Sequence, residues 1–187
     1  GGSTLFNNTT ADNNTAVGAT AMVDNTTGAN NTAVGHSALG NNTTAGGNTA
    51  VGYLSLALNT TGSGNTAVGG GNALDANTTG SNNVAVGNNA LDANTTADDN
   101  TALGAGALYA NTEGHSNVAV GRKSLFTSTT ADANVAVGFC ALKTNTGDNN
   151  TAVGYNSGRA NTTGAGNTFV GREAGNGNTT ADHNTAV

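Results

Sequence analysis

Hydrophobic residues recur along this chain in short groups at a fixed spacing, separated by stretches rich in Asn, Thr and Gly. The phrase Asn, then Thr or Val, then Ala or Phe, then Val or Leu occurs eleven times. Successive copies follow a 17-residue period, which is lengthened by one residue at one step and shortened by one residue at another. Counting the first Asn as position one gives the unit N-T-A-V-G-x-x-A-L-x-x-N-T-T-[GA]-x-x. Such a period indicates an architecture of stacked units.

The residue types within the unit predict strands rather than helices. Gly, Asn and β-branched residues, which are poor helix formers, fill most positions. We therefore predict an all-β protein, a parallel β-solenoid with one 17-residue repeat per coil and eleven coils. Each coil should contain two short strands and two turns, and stacking at ~4.8 Å gives a rod of roughly 50 Å. Residues 1–187 form a single array, which we expect to be a segment of a longer fibre protein.

The substitutions at position two suggest which strand face points inward. Val84, Val118 and Val135 replace Thr there, so this face accepts apolar groups. We therefore expect positions two and four to face the core and position three to face outward. The outward alanines of position three, together with the small residues of position eight, would form a smooth surface suited to close packing. The core of each coil is thin, so we predict a homo-oligomer, and specifically a homotrimer.

Asn and Thr recur at positions that predict ladders along the rod. Asn occupies position one in all eleven copies and position twelve in ten of eleven, with Ser128 as the exception. Identical stacked side chains of this kind can hydrogen-bond from coil to coil and fix the register. Position thirteen adds a column of Thr. The predicted ladder residues are Asn14, Asn31, Asn48, Asn65, Asn83, Asn100, Asn117, Asn134, Asn150, Asn167, Thr26, Thr43, Thr60, Thr78 and Thr95.

Phe169 is the one large residue at position three. In the two coils around it, position nine has lost its usual Leu, and Gly158 and Gly175 stand there instead. A missing buried Leu leaves a void that costs about 2–5 kcal/mol if it stays empty. We predict a packing swap in which Phe169 fills this gap or covers it from the neighbouring face.

Composition and charge limit the kinds of partner and binding site that the chain can have. The net charge of −6 disfavours nucleic acid as a partner, and no apolar run is long enough for membrane insertion. His36, His115 and His183 fall in separate coils, and lone Cys140 has no evident base, so we predict no metal site, no cofactor and no catalytic residues. Acidic residues of the second turn are expected to be solvated turn caps rather than calcium ligands. These are Asp12, Asp98, Asp99, Asp132, Asp148 and Asp182.

Stretches such as NNVAVGNNALDANTTADDNTALGAGAL resemble the head repeats of YadA-like trimeric autotransporter adhesins. They are more similar to the NTALG…NTTG arrays of bacterial and phage proteins that end in a tail-fibre chaperone domain. The resemblance implies a left-handed β-roll, a trimer, and a location on a cell or virion surface. It implies a structural and adhesive rod that contacts a glycan or protein receptor. The repeat here is longer than that of the adhesin heads.

Two other functions remain open from the sequence. The first is an extracellular filament in which such rods stack end to end. The second is ice binding, because a column of Thr on a rigid solenoid can match a lattice. The Thr residues at positions thirteen and fourteen are adjacent, however, so their side chains should diverge and form no flat surface.

Overall fold

Each repeat forms one turn of a parallel β-solenoid. The computed structural model describes residues 2–187, in which eleven strands form one sheet in chain order. Each strand pairs in parallel with the next, and equivalent repeat positions stay opposite one another, as Ala33 does with Ala50. The strands are β1 Thr15–Val17, β2 Thr32–Val34, β3 Thr49–Val51, β4 Thr66–Val68, β5 Val84–Val86, β6 Thr101–Leu103, β7 Val118–Val120, β8 Val135–Val137, β9 Thr151–Val153, β10 Thr168–Val170 and β11 Thr185–Ala186.

Each coil has one strand, not the two that we predicted. Within residues 2–187 the remainder of every coil consists of turns, bends and irregular backbone. The physical reason is a positive φ at positions seven and nine, as at Asn89 (54°) and Leu91 (53°), which interrupts extended backbone. For Leu this left-handed conformation costs about 1–2 kcal/mol. Burial of the Leu side chain, worth about 1.5–3 kcal/mol, offsets that cost.

The strand faces are opposite to our prediction. Position three is buried and positions two and four face outward, as shown by buried Ala33 between half-buried Thr32 and exposed Val34. The coil is narrow, and Leu39 and Ala38 at positions nine and eight already fill the space beside the strand. Only a small side chain then fits at position three. The alanines of positions three and eight therefore form the core and cannot supply a packing surface.

A glycine corner follows each strand and brings neighbouring coils close together. Gly104 has a φ of 132°, which L side chains rarely adopt. A Cβ added to Gly104 would lie 2.8 Å from the carbonyl carbon of Gly121 in the next coil. Position five thus requires glycine for both its conformation and its close backbone contact.

Buried asparagines fill the other half of the rod interior. At position one, each backbone N–H donates to Oδ1 of the Asn one coil earlier, at 2.8–3.0 Å in all ten steps from Asn14 to Asn184. Position twelve forms a second column, in which Nδ2 of Asn42 donates to Oδ1 of Asn25 at 2.8 Å. Asn31, Asn42 and their equivalents in the inner coils are fully buried. These two columns link every coil to its neighbours through side-chain amides.

The two asparagine columns meet at one backbone carbonyl in most coils, and the coils that contain Ser128 and Asn145 are the exceptions. Nδ2 of Asn31 donates to the carbonyl of Ala45 at 2.9 Å, and Nδ2 of Asn42 donates to the same oxygen at 3.0 Å. These two hydrogen bonds connect positions one and twelve to position fifteen and so close the coil. An amide carries both the donor and the acceptor that this arrangement needs, whereas a carboxylate would carry no donor.

The Thr residues of position thirteen form an outer column beside the amides. Their hydroxyls donate to the backbone carbonyl of the equivalent Thr in the next coil, for example Thr26 to Thr43 at 2.9 Å and Thr78 to Thr95 at 3.0 Å. Thr43 donates to Thr60 and Thr60 to Thr78 in the same way. Each bond therefore joins a side chain to the main chain, not one hydroxyl to another.

The position-twelve column is broken at Ser128. The Ser128 hydroxyl is buried without a hydrogen-bond partner, and so is Oδ1 of Asn111 in the preceding coil. Nδ2 of Asn145 in the following coil lies 3.3 Å from Oδ1 of Asn134 and so donates outside the column. One short side chain thus leaves two polar groups unpaired.

The Phe169 ring lies in the core between the two glycines. Phe169 is 1% exposed, and a Cβ added to either Gly158 or Gly175 would overlap with its ring. Both glycines have a positive φ (57° and 63°), as Leu does at this position in other coils. Most other coils have Ala at position three and Leu at position nine, whereas here Phe169 stands at position three and Gly at position nine. The Phe169 ring therefore fills from the strand side the space that Leu fills elsewhere. Gly occupies a position whose positive φ it adopts easily.

Ser128→Asn should stabilise the protein by about 1–2 kcal/mol, because the new amide can pair with Oδ1 of Asn111 and restore the column. Denaturant unfolding measures the gain, with Ser128→Ala as the matched control. The control should be nearly neutral, since the hydroxyl it removes has no partner. An Asn variant less stable than the Ala variant would contradict this account of the column.

Gly158→Leu should destabilise the protein when Phe169 is present and stabilise it when Phe169 is Ala. Phe169→Ala alone should cost about 3–5 kcal/mol because it empties the core between the glycines. A double-mutant cycle followed by denaturant unfolding measures the reversal of sign. If Gly158→Leu has the same effect in both backgrounds, the ring and the glycine do not share one space.

Candidate functional site

The outward side of the sheet is the first candidate site. We call it the outer sheet face, and it consists of positions two and four of every strand. Position two carries Thr or Val and position four Val or Leu, so the face has no charged residue in any of the eleven strands. The position-four side chains Val17, Val34, Val86, Leu103, Val153 and Val170 are between 37% and 56% exposed.

A bare face of Thr, Val and Leu side chains on a parallel sheet is unusual. Parallel sheets are normally covered on both faces, and contiguous apolar patches on a protein surface mark interaction sites. Here one face is covered by the Ala and Leu core, while the other carries two straight columns of Thr and Val side chains in register. The outer sheet face is therefore a flat surface that a second flat surface could cover.

The second candidate site is the edge formed by positions six, seven and ten, which we call the turn edge. Aromatic rings from consecutive coils stack there. Tyr109 and Phe126 stack with centroids 5.0 Å apart, and Phe139 and Tyr155 with centroids 5.4 Å apart. These separations follow from the coil spacing of ~4.8 Å. A third pair, His36 and Tyr53, lies near the other end of the rod.

The turn edge also carries every Lys and Arg of the chain. The five lie between residues 122 and 172, and positions six, seven and ten hold all of them. The Arg122 guanidinium carbon lies 5.8 Å from the centroid of Phe139, and that of Arg172 lies 5.7 Å from Tyr155. A continuous column of Arg, Phe, Tyr and Arg results. Among residues 2–187, the one ion pair is that of Arg172 with adjacent Glu173.

A gap in the side chains of the turn edge forms a shallow cleft of about 370 Å³, which we call the notch. It lies at Ala105 and Gly106, where positions six and seven carry almost no side chain. The neighbouring coils border it with Asn88 and Asn89 on one side and Arg122 and Lys123 on the other, and Tyr109 and Phe126 form its wall.

Two aspartates stack beyond the notch along the position-ten column. Burial raises the pKa of Asp75 above its ordinary value of 3.8. Burial also raises the pKa of Asp92, and the negative charge of Asp75 raises it further. The column therefore changes from acidic to aromatic to basic along the rod, from Asp92 through Tyr109 to Lys143.

The ladder and packing residues predicted from the sequence lie apart from both surfaces. Asn31 and its equivalents are buried, Phe169 is in the core, and the Thr column lies at the opposite turn. The amides of Asn25 and Asn161, formal acceptors for glycosylation, are also buried and hydrogen-bonded. The buried Asn residues and Phe169 cannot contact a ligand directly without rearrangement of the coil, whereas the Thr column is half-buried.

The turn acids and histidines serve the backbone or face solvent. The backbone N–H of Ser81 donates to Oδ1 of Asp98, and that of Ala165 donates to Oδ1 of Asp182 at 2.8 Å. These aspartates cap exposed N–H groups of the preceding coil. Cys140 is a buried free thiol. No group of three or more His, Cys, Asp or Glu that could hold a metal ion occurs within residues 2–187.

The sequence predicts that the variable pairs after each glycine, such as Arg122 and Lys123, face solvent and supply contacts to a receptor, but sequence reasoning missed the outer sheet face. The prediction that positions two and four face the core is wrong, because the apolar side chains of position four are exposed and do not indicate burial. The aromatic stacks can be predicted from the spacing of the aromatic residues. Tyr109 and Phe126 are one 17-residue repeat apart, and Phe139 and Tyr155 are separated by the one shortened repeat. Rings at that separation occupy the same position in adjacent coils.

Comparison of the chain with protein families, with curated proteins and with solved structures gives no match. In the part of the chain that the structure describes, there is no helix of the length and apolar character needed to cross a membrane.

Asp92→Asn should stabilise the protein at pH 7 by less than about 1 kcal/mol, since solvent screens a half-exposed pair. The folded-state pKa of Asp92 is raised, so its charged form opposes folding. This cost is absent below the ordinary pKa and appears as the pH rises through the folded-state value. Thermal unfolding between pH 3 and pH 7 should therefore show a gain that vanishes at pH 3.

Proposed function

We propose that this chain is a structural and adhesive rod of a bacterial surface adhesin or a phage tail fibre, exposed on the cell or virion surface. In this proposal three chains associate side by side through their outer sheet faces, and residues of the turn edge contact a receptor. The single observation that carries it is the flat, uncharged outer sheet face, which runs along all eleven strands. A left-handed coil, which the resemblance to adhesin heads implies, belongs to the same proposal.

Burial of the outer sheet face would remove its apolar area from water at about 25 cal/mol per Å². Eleven strands at ~4.8 Å and three residues at ~3.3 Å give a face of about 50 by 10 Å. This is less than the ~800 Å² per partner of a standard interface. The interface must therefore include flanking positions, and a trimer supplies two contacts to each chain. Association would also add to the thin core of each coil, which holds one Leu and two small residues.

Charge on the outer sheet face should abolish association without unfolding the rod. Light scattering of the unmodified chain should give a mass three times 18.0 kDa. Val86→Lys and Val153→Lys, at exposed position-four residues, should each give a monomer with an unchanged β-sheet circular dichroism spectrum. The matched control is Thr96→Lys, which adds the same charge at an exposed position of the opposite turn and should remain trimeric.

A monodisperse monomer from the unmodified chain would refute the trimer. Dissociation of the Thr96→Lys control would show that added charge alone, and not its place on the outer sheet face, disrupts the assembly. Filaments of stacked rods in negative stain would instead favour end-to-end assembly.

Ice binding is a second candidate, and the outer sheet face also favours it. Position two carries Thr in eight of eleven strands, and each Thr points outward two residues from an outward Val or Leu. The result is a flat column of hydroxyls and methyl groups, which the diverging Thr residues of positions thirteen and fourteen do not provide. Inhibition of ice recrystallisation by the unmodified chain, lost in Val86→Lys, would support this candidate. Because both functions need the same face, a stable trimer excludes it.

A further inference from the structure

The notch combines three kinds of group that ligand sites commonly have: an apolar wall, amides and cations. The wall is formed by the stacked rings of Tyr109 and Phe126. The Lys123 ammonium lies 5.2 Å from the centroid of Phe126, so the positive charge is at the wall itself. A ligand in the notch would therefore meet a ring surface and a cation together.

The cations at the notch have no acidic partner in the described part of the chain. No carboxylate lies within 4.0 Å of Lys123 or Arg122, and neither side chain donates a hydrogen bond to another residue among 2–187. Their charge is thus available to an anion from outside. In a chain of net charge −6, this is a local positive region on an acidic rod.

The amides border the notch on the side away from the cations. Asn88 and Asn89, which belong to the coil that precedes the gap, line the notch. An amide offers both a donor and an acceptor, as hydroxyl groups require. The ligand that matches these groups therefore carries hydroxyls at one end and a negative charge at the other.

We propose that the notch binds an acidic sugar residue of a surface glycan. Its carboxylate pairs with Lys123 and Arg122, and its hydroxyls hydrogen-bond the side chains of Asn88 and Asn89. Its C–H groups pack against the wall of the notch. The negative charge of Asp92, one coil beyond Tyr109, orients the carboxylate toward the cations. This proposal rests on the proposed adhesive function and deepens it by naming the class of receptor.

The geometry favours a sugar over a nucleic acid. A polynucleotide needs a continuous basic groove along several nucleotides. Here the position-ten column becomes acidic at Asp92 and Asp75, immediately beyond the aromatic wall. A single sugar carboxylate needs only the local charge of the notch, so the acidic neighbours do not oppose it to the same extent.

Titration of the full chain with methyl β-glucuronide, followed by ¹H–¹⁵N NMR, tests the proposal directly. The glucuronide should shift the side-chain amide signals of Asn88 and Asn89. Methyl β-glucoside, which has the same ring without the carboxylate, should bind at least about tenfold more weakly, because it lacks a charged hydrogen bond. Equal binding of the two sugars, or no shift with the glucuronide, would overturn the proposal.

Variants of the notch provide the matched controls. Lys123→Gln and Arg122→Gln should each weaken glucuronide binding about tenfold and leave the glucoside unaffected. Arg159→Gln removes one positive charge from the turn edge outside the notch and should leave binding unchanged. Ala105→Phe should abolish binding by filling the gap, whereas Ala19→Phe, the same change at the same repeat position in another coil, should not.

The remaining outcomes separate this proposal from the proposed function. Inorganic phosphate or a single-stranded oligonucleotide that binds more tightly than the glucuronide, and loses affinity in the same variants, would overturn the sugar assignment. Glucuronide binding by a monomeric chain would support the notch while refuting the trimer. A trimer without glucuronide binding would refute the notch alone.

Discussion

The interior amide hydrogen bonds are the constraint on which the rest of the structure depends. Each coil has too few aliphatic side chains to be held by apolar packing alone. The Asn residues of positions one and twelve supply directional bonds within the coil, at the Ala45 carbonyl, and between coils, as from Asn48 to Asn31. A buried amide that loses its partner costs about 1–3 kcal/mol, so a shift of register would break many bonds at once. The amides therefore fix the register that places both outer surfaces.

The period revealed the architecture, but it did not reveal which way the strand faces. A 17-residue repeat with Gly and Asn at fixed places is sufficient to predict stacked parallel strands. The residue at position three is always small except at Phe169. A small residue there is compatible either with a crowded core or with a smooth surface. The answer depends on the backbone conformation of the rest of the coil, which is left-handed at Leu91 and its equivalents. No residue pattern predicts that left-handed conformation, because Leu rarely adopts it.

The two candidate surfaces differ in how they vary along the rod. The outer sheet face is nearly uniform, with Thr or Val at position two and Val or Leu at position four. The turn edge varies from coil to coil, and its rings and cations are concentrated between Tyr109 and Arg172. The notch exists because Ala105 and Gly106 are small where neighbouring coils carry longer side chains. In the sequence, only the spacing of the aromatic residues indicates the wall of the notch. Its cleft arises from side chains that are missing, which a search for motifs does not detect.

The equivalence of the coil-to-coil bonds has a consequence for how such a protein changes over time. Every step from Asn14 to Asn184 uses the same contact, whether 16, 17 or 18 residues separate the two coils. A whole repeat can therefore be duplicated or deleted by recombination in the gene, and the new junction will be chemically identical to the old ones. The length of the rod can thus change without any change in the notch, because the length depends on the number of repeats and the notch is formed by the turns of three coils.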